Sequence, residues 1–268
     1  MSGPFASKIV VVTGASSGIG QALCLALAPQ RPRLVLAARD EERLRSVATA
    51  CAERGAETLV VKTDVSSEAE CRGLVERAVE RFGGLDVLVN NAGIGMIARF
   101  DELQDLSVYE RLMRVNYLGC VYLTFHALPH LKRSRGLIVA VASVAGLTGV
   151  PTRTGYAASK HAVFGFFDSL RVELMGSGVD VTLVAPDFVV SEIHRRAVGP
   201  GGAPLGESPM QEGRIMTANR CAELILGAME RRQRLLVMSL RGKLGRFVRL
   251  FAPGLIDRIA KRAVERGR

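Results

Sequence analysis

The sequence has no Cys-x-x-Cys pair, no internal repeat and no long apolar run. Its five cysteines, Cys24, Cys51, Cys71, Cys120 and Cys221, are odd in number and scattered. That usage excludes a disulfide framework or a cysteine zinc site and reads as buried thiols in a reducing compartment. No apolar stretch reaches the ~18 residues of a membrane-spanning helix. The longest candidate, residues 136–150, is interrupted by glycines and Ser143. A strand-like run, Lys8-Ile-Val-Val-Val12, begins almost at once and leaves no room for a signal peptide, so a cytoplasmic location is expected. His126 and His130 have helical i, i+4 spacing, but Pro129 lies between them, with no third ligand and no adjacent glutamate. No metal site is expected.

Charge of one sign is also missing from most of the chain. Of the net +10, residues 241–268 carry nine Lys/Arg against Asp257 and Glu265, a balance of +7. The remainder is close to neutral, which argues against a general nucleic-acid-binding surface.

What is present is a regular alternation. Strand-like runs fall at Ile9–Thr13, Arg33–Ala37, Thr58–Lys62, Val87–Asn90, Leu137–Ala142, Val179–Ala185 and Arg234–Met238. Helical patterns lie between them, near residues 20–28, 41–54, 67–82, 107–132, 156–175 and 218–231. Alternating strands and helices predict one α/β domain over residues 1–268, a doubly wound parallel sheet with helices on both faces. Ligands bind such sheets beyond the carboxyl ends of the strands.

Three motifs sit there. The first strand runs into Thr13-Gly-Ala-Ser-Ser-Gly-Ile-Gly20 and a helix. Gly14, Gly18 and Gly20 permit a tight turn and close approach to a pyrophosphate, and Ser16, Ser17 and Ile19 bring free N–H groups at the helix start. The second strand ends in Ala38-Arg39-Asp40. Arg39 offers a fork of donors to the 2′-phosphate of NADP(H), while Asp40 caps the helix from Glu41. In the competing reading Asp40 binds the ribose of NAD(H) and Arg39 is a surface residue. Third, Tyr156-Ala-Ala-Ser-Lys160 holds a phenol and an ammonium on one helix face. The ammonium favours the phenolate, so this tyrosine can exchange a proton during carbonyl–alcohol chemistry.

From Lys8 to Met238 the chain resembles the short-chain dehydrogenase/reductase family. The landmarks are the glycine motif, Asp64, Asn90-Asn-Ala-Gly93, Asn116, Ser143, Tyr156-x-x-x-Lys160 and Pro186, all in family order. The resemblance implies a Rossmann fold in which Asp64-Val65 contacts adenine and Asn91, Ala92 and Gly93 flank the adenosine ribose. It implies that Tyr156 is the acid/base and that Lys160 supports it and holds the nicotinamide ribose. Ser143 would bind the substrate oxygen, and Asn116 would fix a water linking Lys160 to solvent. A basic residue at the Arg39 position implies NADP. One departure stands out: relatives have Pro-Gly after the sixth strand, whereas this chain has Pro186-Asp187, then Phe188, Val189, Val190 and Ser191. Aspartate would tolerate a positive φ there; it could also place a carboxylate near the substrate. Pro186, Val189 and Ser191 complete the implied nicotinamide site.

Residues 191–217 form a long glycine- and proline-bearing loop, expected to cover the substrate. Beyond it, Leu244, Phe247, Val248 and Phe251, then Leu255, Ile256, Ile259 and Ala263, make two apolar stripes among basic residues. Such helices suit an anionic membrane surface, and equally a position over the active site or on a partner subunit. The family's usual contact through the 107–132 and Tyr156 helices makes a homodimer or homotetramer the expected assembly. The expected activity is hydride transfer between NADP(H) and a hydrophobic ketone or secondary alcohol. Reduction of a 3-oxoacyl thioester or a 3-ketosphinganine-type substrate is the second enzyme reading, and a dinucleotide-sensing protein the non-enzyme one.

Overall fold

The computed structural model describes residues 3–207, 210, 213 and 215–265, with side chains through residue 262. Pro209 of the expected cover, the side chain of Ala263 and residues 266–268 lie outside the described residues.

In chain order the elements are β1 (Ile9–Thr13), α1 (Gly18–Leu27), β2 (Arg33–Ala38), α2 (Glu41–Ala52), β3 (Glu57–Lys62), α3 (Glu68–Phe82) and β4 (Val87–Asn90). They continue as α4 (Ser107–Met113), α5 (Gly119–Ser134), β5 (Leu137–Val141), α6 (Thr154–Glu173), β6 (Asp180–Ala185), α7 (Ala218–Glu230) and β7 (Leu235–Val237). Two helices follow, α8 (Leu240–Phe251) and α9 (Pro253–Glu265). The seven strands form one parallel sheet in the order β3-β2-β1-β4-β5-β6-β7. The order reverses between β1 and β4, and this switch point opens a cleft above their carboxyl ends.

Every residue of β1 is buried, because helices cover both sheet faces. Strand alternation then sorts its side chains: Val11 packs with Leu74, Leu123 and Phe167 from α3, α5 and α6. Val10 and Val12 point the other way, into Leu23, Leu44 and Ile225 from α1, α2 and α7. Asp40 begins α2 by accepting from the Arg43 N–H at 3.1 Å.

One boundary differs from expectation. Residues 107–132 do not form one regular helix: α4 and α5 are joined by a π-helical turn, Arg114–Leu118, in which the Gly119 N–H bonds the Arg114 carbonyl. Such an inserted residue widens the helix locally and re-aims a side chain, here Asn116. None of the described helices is long and apolar enough to cross a membrane.

Candidate active site

The site is assembled on the carboxyl ends of β1, β4, β5 and β6. At the end of β1, Thr13 is buried, and its Oγ1 donates to the Val89 carbonyl at 3.2 Å. The same oxygen accepts from the Asn91 and Ala92 N–H groups, both at 3.0 Å. Asn91 returns the contact, its Nδ2 donating to the Thr13 carbonyl at 2.8 Å. Two loops remote in sequence are thereby fastened into one cradle.

Gly14 and Gly18 adopt positive φ, +64° and +55°. A Cβ on Gly20 would lie 2.3 Å from the Gly14 carbonyl oxygen, so no larger residue fits. The α1 N-terminus that follows has no side-chain cap and no acidic residue in its first turn. By contrast, Asp40, Ser67, Thr217 and Ser239 cap α2, α3, α7 and α8. Glycines that let backbone approach closely, with free N–H groups and positive dipole potential beside them, fit a dinucleotide's pyrophosphate.

A cavity of about 950 Å³ runs from this cradle to the C-terminal helices. Of the expected catalytic and cofactor-binding residues, all but Gly20 and Asn116 line it: Gly14, Ser16, Ser17, Gly18, Ile19, Arg39, Asp64, Val65, Asn91, Ala92, Gly93, Ser143, Tyr156, Lys160, Pro186, Val189 and Ser191. Gly20 lies beneath the turn, against Gly14 and Asn91. Arg39, just past β2, is exposed and makes no ion pair among the described residues. Asp64 spends its Oδ1 on the Ser66 N–H and hydroxyl, at 2.9 and 2.7 Å.

Farther along the cavity, α6 carries Tyr156 and Lys160, both buried. The Lys160 Nζ lies 5.8 Å from the centre of the Tyr156 ring and donates to the Val141 carbonyl at 3.0 Å. Ser143, just past β5, accepts from the Ala145 N–H at 3.1 Å. Asn116 stands behind the wall: its Nδ2 donates to Ser159 Oγ at 2.9 Å and to the Ile94 carbonyl at 3.0 Å. Its Oδ1 accepts from the Ile94 N–H at 2.8 Å. Ser159 in turn donates to the Tyr156 carbonyl at 2.8 Å. The π turn therefore braces the first turns of α6 through Asn116 and Ser159.

Asp187 is not among the residues at positive φ. Its carboxylate instead accepts from Arg241 on α8, at 2.7 and 3.3 Å. Arg249 adds a second anchor, donating to the Leu147 carbonyl at 2.8 Å. The tail thus supplies part of the cavity wall, with Gly242, Gly245, Ile256 and Ile259. The expected stripe does not dock as a unit. Leu244, Phe247 and Phe251 are exposed, and the glycine-bearing face turns inward, because a Cβ on Gly242 would already be 2.8 Å from Val144 Cγ1. The cover segment is tied to the body through Glu192, which accepts from Arg43 at 2.8 Å, and through Val198, paired with Met96.

The residues that sequence reasoning missed are Thr13 as a lock, Ser159, Arg153 and Arg241; each acts through a partner distant in the chain. The five cysteines are all buried and none lines the cavity. Burial pushes the Cys71 and Cys221 thiols up to about 12 and those of Cys51 and Cys120 up to about 11.

Fold and site together define a doubly wound dinucleotide-binding protein with a serine, a tyrosine and a lysine converging at one end of its cleft. The family model described as short chain dehydrogenase matches residues 8–198, and the chain belongs to that family. It is an oxidoreductase acting on CH–OH donors with a nicotinamide dinucleotide. An 11-beta-hydroxysteroid dehydrogenase of Pinus massoniana is 36% identical over 257 residues, covering 93% of this chain and 72% of the relative. A dehydrogenase/reductase SDR family protein 7-like of Dictyostelium discoideum is 33% identical, with 94% and 80% covered. A Burkholderia phymatum short chain dehydrogenase/reductase, solved in complex with NAD, superposes with a TM-score of 0.84 at 30% identity, covering 94% of this chain and 95% of that one. An alcohol dehydrogenase from Thermococcus sibiricus, complexed with 5-hydroxy-NADP, gives 0.73 at 28% identity, with 85% and 93% covered.

Proposed function

We propose that the protein interconverts hydrophobic ketones and secondary alcohols using NADP(H). The observation that carries this reading is the set of groups lining one cavity in the order of the strands that bear them: Arg39 past β2, the open α1 N-terminus past β1, and Ser143 past β5 with Tyr156 and Lys160 on α6. Arg39 favours NADP(H), because Asp40 is occupied as a helix cap and the arginine has no acid of its own. When bound, the nicotinamide supplies the hydride. The protein's own groups do the rest. Ser143 Oγ donates to the substrate oxygen, and Tyr156 Oη gives that oxygen its proton during reduction or takes it during oxidation. The Lys160 ammonium stabilises the negative phenol oxygen that reduction leaves behind.

Val144, Leu147, Val150 and Ile193 line the substrate end and exclude water from the carbonyl. The relatives named as hydroxysteroid dehydrogenases support a lipophilic substrate. Exposed Phe125 on α5 and Val172 on α6 support self-association through these helices. The test is turnover of steroid, long-chain and aromatic ketones with each cofactor by the wild type and Tyr156→Phe. Losing the acid/base group is expected to lower kcat/KM by about 10²- to 10⁴-fold while NADPH binding survives. Retained turnover would overturn the assignment.

A further inference from the structure

Among the described residues two Lys or Arg side chains are buried, Lys160 at 4% and Arg153 at 8% exposure, and no Asp or Glu is buried. Both cations are on or beside the start of α6 and flank Tyr156, three residues before it and four after. Lys160 rests on a carbonyl oxygen and is absorbed by the reaction already described. Arg153 is not. Its guanidinium lies 5.1 Å from the centre of the Phe188 ring, on the cavity wall. It makes no ion pair among the described residues. Asp187, adjacent to Phe188, is already taken by Arg241. Burial pushes the Arg153 pKa below the usual arginine value, the Tyr156 oxygen opposing that shift.

A guanidinium withdrawn from water with no anion is expensive to keep, and an aromatic face offsets only part of that penalty. An entirely neutral substrate body would strip the remaining water and leave the charge worse off. The dinucleotide's phosphates have their own seat at the other end of the cleft, at the α1 N-terminus and Arg39. One planar fork matches one carboxylate in charge and geometry.

Resting on the ketone-reductase reading, we propose that Arg153 is an anion seat in the substrate pocket. The physiological ketone carries a carboxylate on its carbonyl carbon or close to it, with its apolar part directed along Val144 and Leu147 toward α8. Arg153 is then a specificity residue and takes no part in the proton transfer.

The test compares benzoylformate with its methyl ester as substrates, and benzoate with benzamide as ligands of the NADP⁺-saturated protein. Arg153→Leu is expected to lower kcat/KM for benzoylformate by about 10- to 100-fold, the range for a lost hydrogen bond to a charged group. The methyl ester should keep most of its kcat/KM and NADPH its affinity. Benzoate binding should fall by a similar factor and benzamide binding stay unchanged, with partial rescue in Arg153→Lys. Removing an unpaired buried charge should leave the melting temperature unchanged or raise it; should the leucine variant not fold, Arg153→Lys and Arg153→Gln carry the comparison. Equal losses for acid and ester, or weakened NADPH binding, would overturn the proposal. If neither ketone turns over, the steroid, long-chain and aromatic ketone panel decides the ketone-reductase reading, and benzoate binding still decides the anion seat: lost in Arg153→Leu it stands, retained it falls.

Discussion

Thr13→Val is the most informative single perturbation of the cofactor cradle. Valine reproduces the shape of threonine in a position that is 1% exposed, so packing is preserved and only the hydroxyl is lost. Three hydrogen bonds go with it, one to the Val89 carbonyl and two from the Asn91 and Ala92 N–H groups. The carbonyl sits within the sheet and loses least. The two N–H groups lose an acceptor in a half-buried loop, where water reaches them only in part. At about 1–2 kcal/mol for each stranded donor, the destabilisation comes to roughly 2–4 kcal/mol. For a chain of this size that corresponds to a melting temperature lower by about 5–15 °C. Thermal unfolding with and without NADP⁺ checks it, using Thr13→Ser, which keeps the hydroxyl, as the control. The NADP⁺-induced rise should also shrink in the valine variant, because Asn91 and Ala92 face the cofactor cavity. If the valine and serine variants melt within about 2 °C of each other, the hydroxyl is not the lock.

Arg39→Asp should weaken NADPH by about 10- to 100-fold more than NADH, since a charged hydrogen bond is lost and a repulsion added; fluorescence titration with both cofactors reads this, and equal losses would remove the phosphate role. Asp187→Asn should loosen α8 without unfolding the sheet. The Arg241 side chain is 68% exposed and rehydrates on release, so the loss is held to about 1 kcal/mol. That shows as roughly fivefold faster amide exchange over residues 240–251, and unchanged exchange would mean that Arg249 and packing alone hold the helix.

The legible parts of the molecule were those written in local pattern. Five-residue β-branched runs such as Ile9–Thr13 gave strands to within a residue or two, since a buried parallel strand must be apolar on both faces. The glycine cradle was legible because only glycine tolerates a Cβ position 2.3 Å from a carbonyl oxygen. The π turn was not, because its apolar spacing continues through Arg114–Leu118 and the extra residue leaves no compositional mark. The alternative that Asp187 adopts a positive φ followed from local propensity alone. The observed backbone is ordinary, and the carboxylate answers an arginine 54 residues further on. Ser159 read as a filler between Tyr156 and Lys160, although it carries the brace from Asn116.

The long-range contacts share a logic. Around Phe188, Arg241 stands 5.6 Å from the ring centre and Arg153 5.1 Å, so two guanidinium groups attend one aromatic ring. Asp187 neutralises one of them, the exposed one that joins the tail to the turn. The buried one is left unpaired. If the aspartate served only to balance charge near Tyr156, the buried cation would be the stronger partner, since ion pairs strengthen as water is excluded. Its pairing with the outer arginine instead fixes the wall contributed by α8 and keeps the Arg153 fork free toward the cavity. Asp187 thus docks the C-terminal helices through Arg241 and leaves the Arg153 charge unpaired one helical turn from the tyrosine.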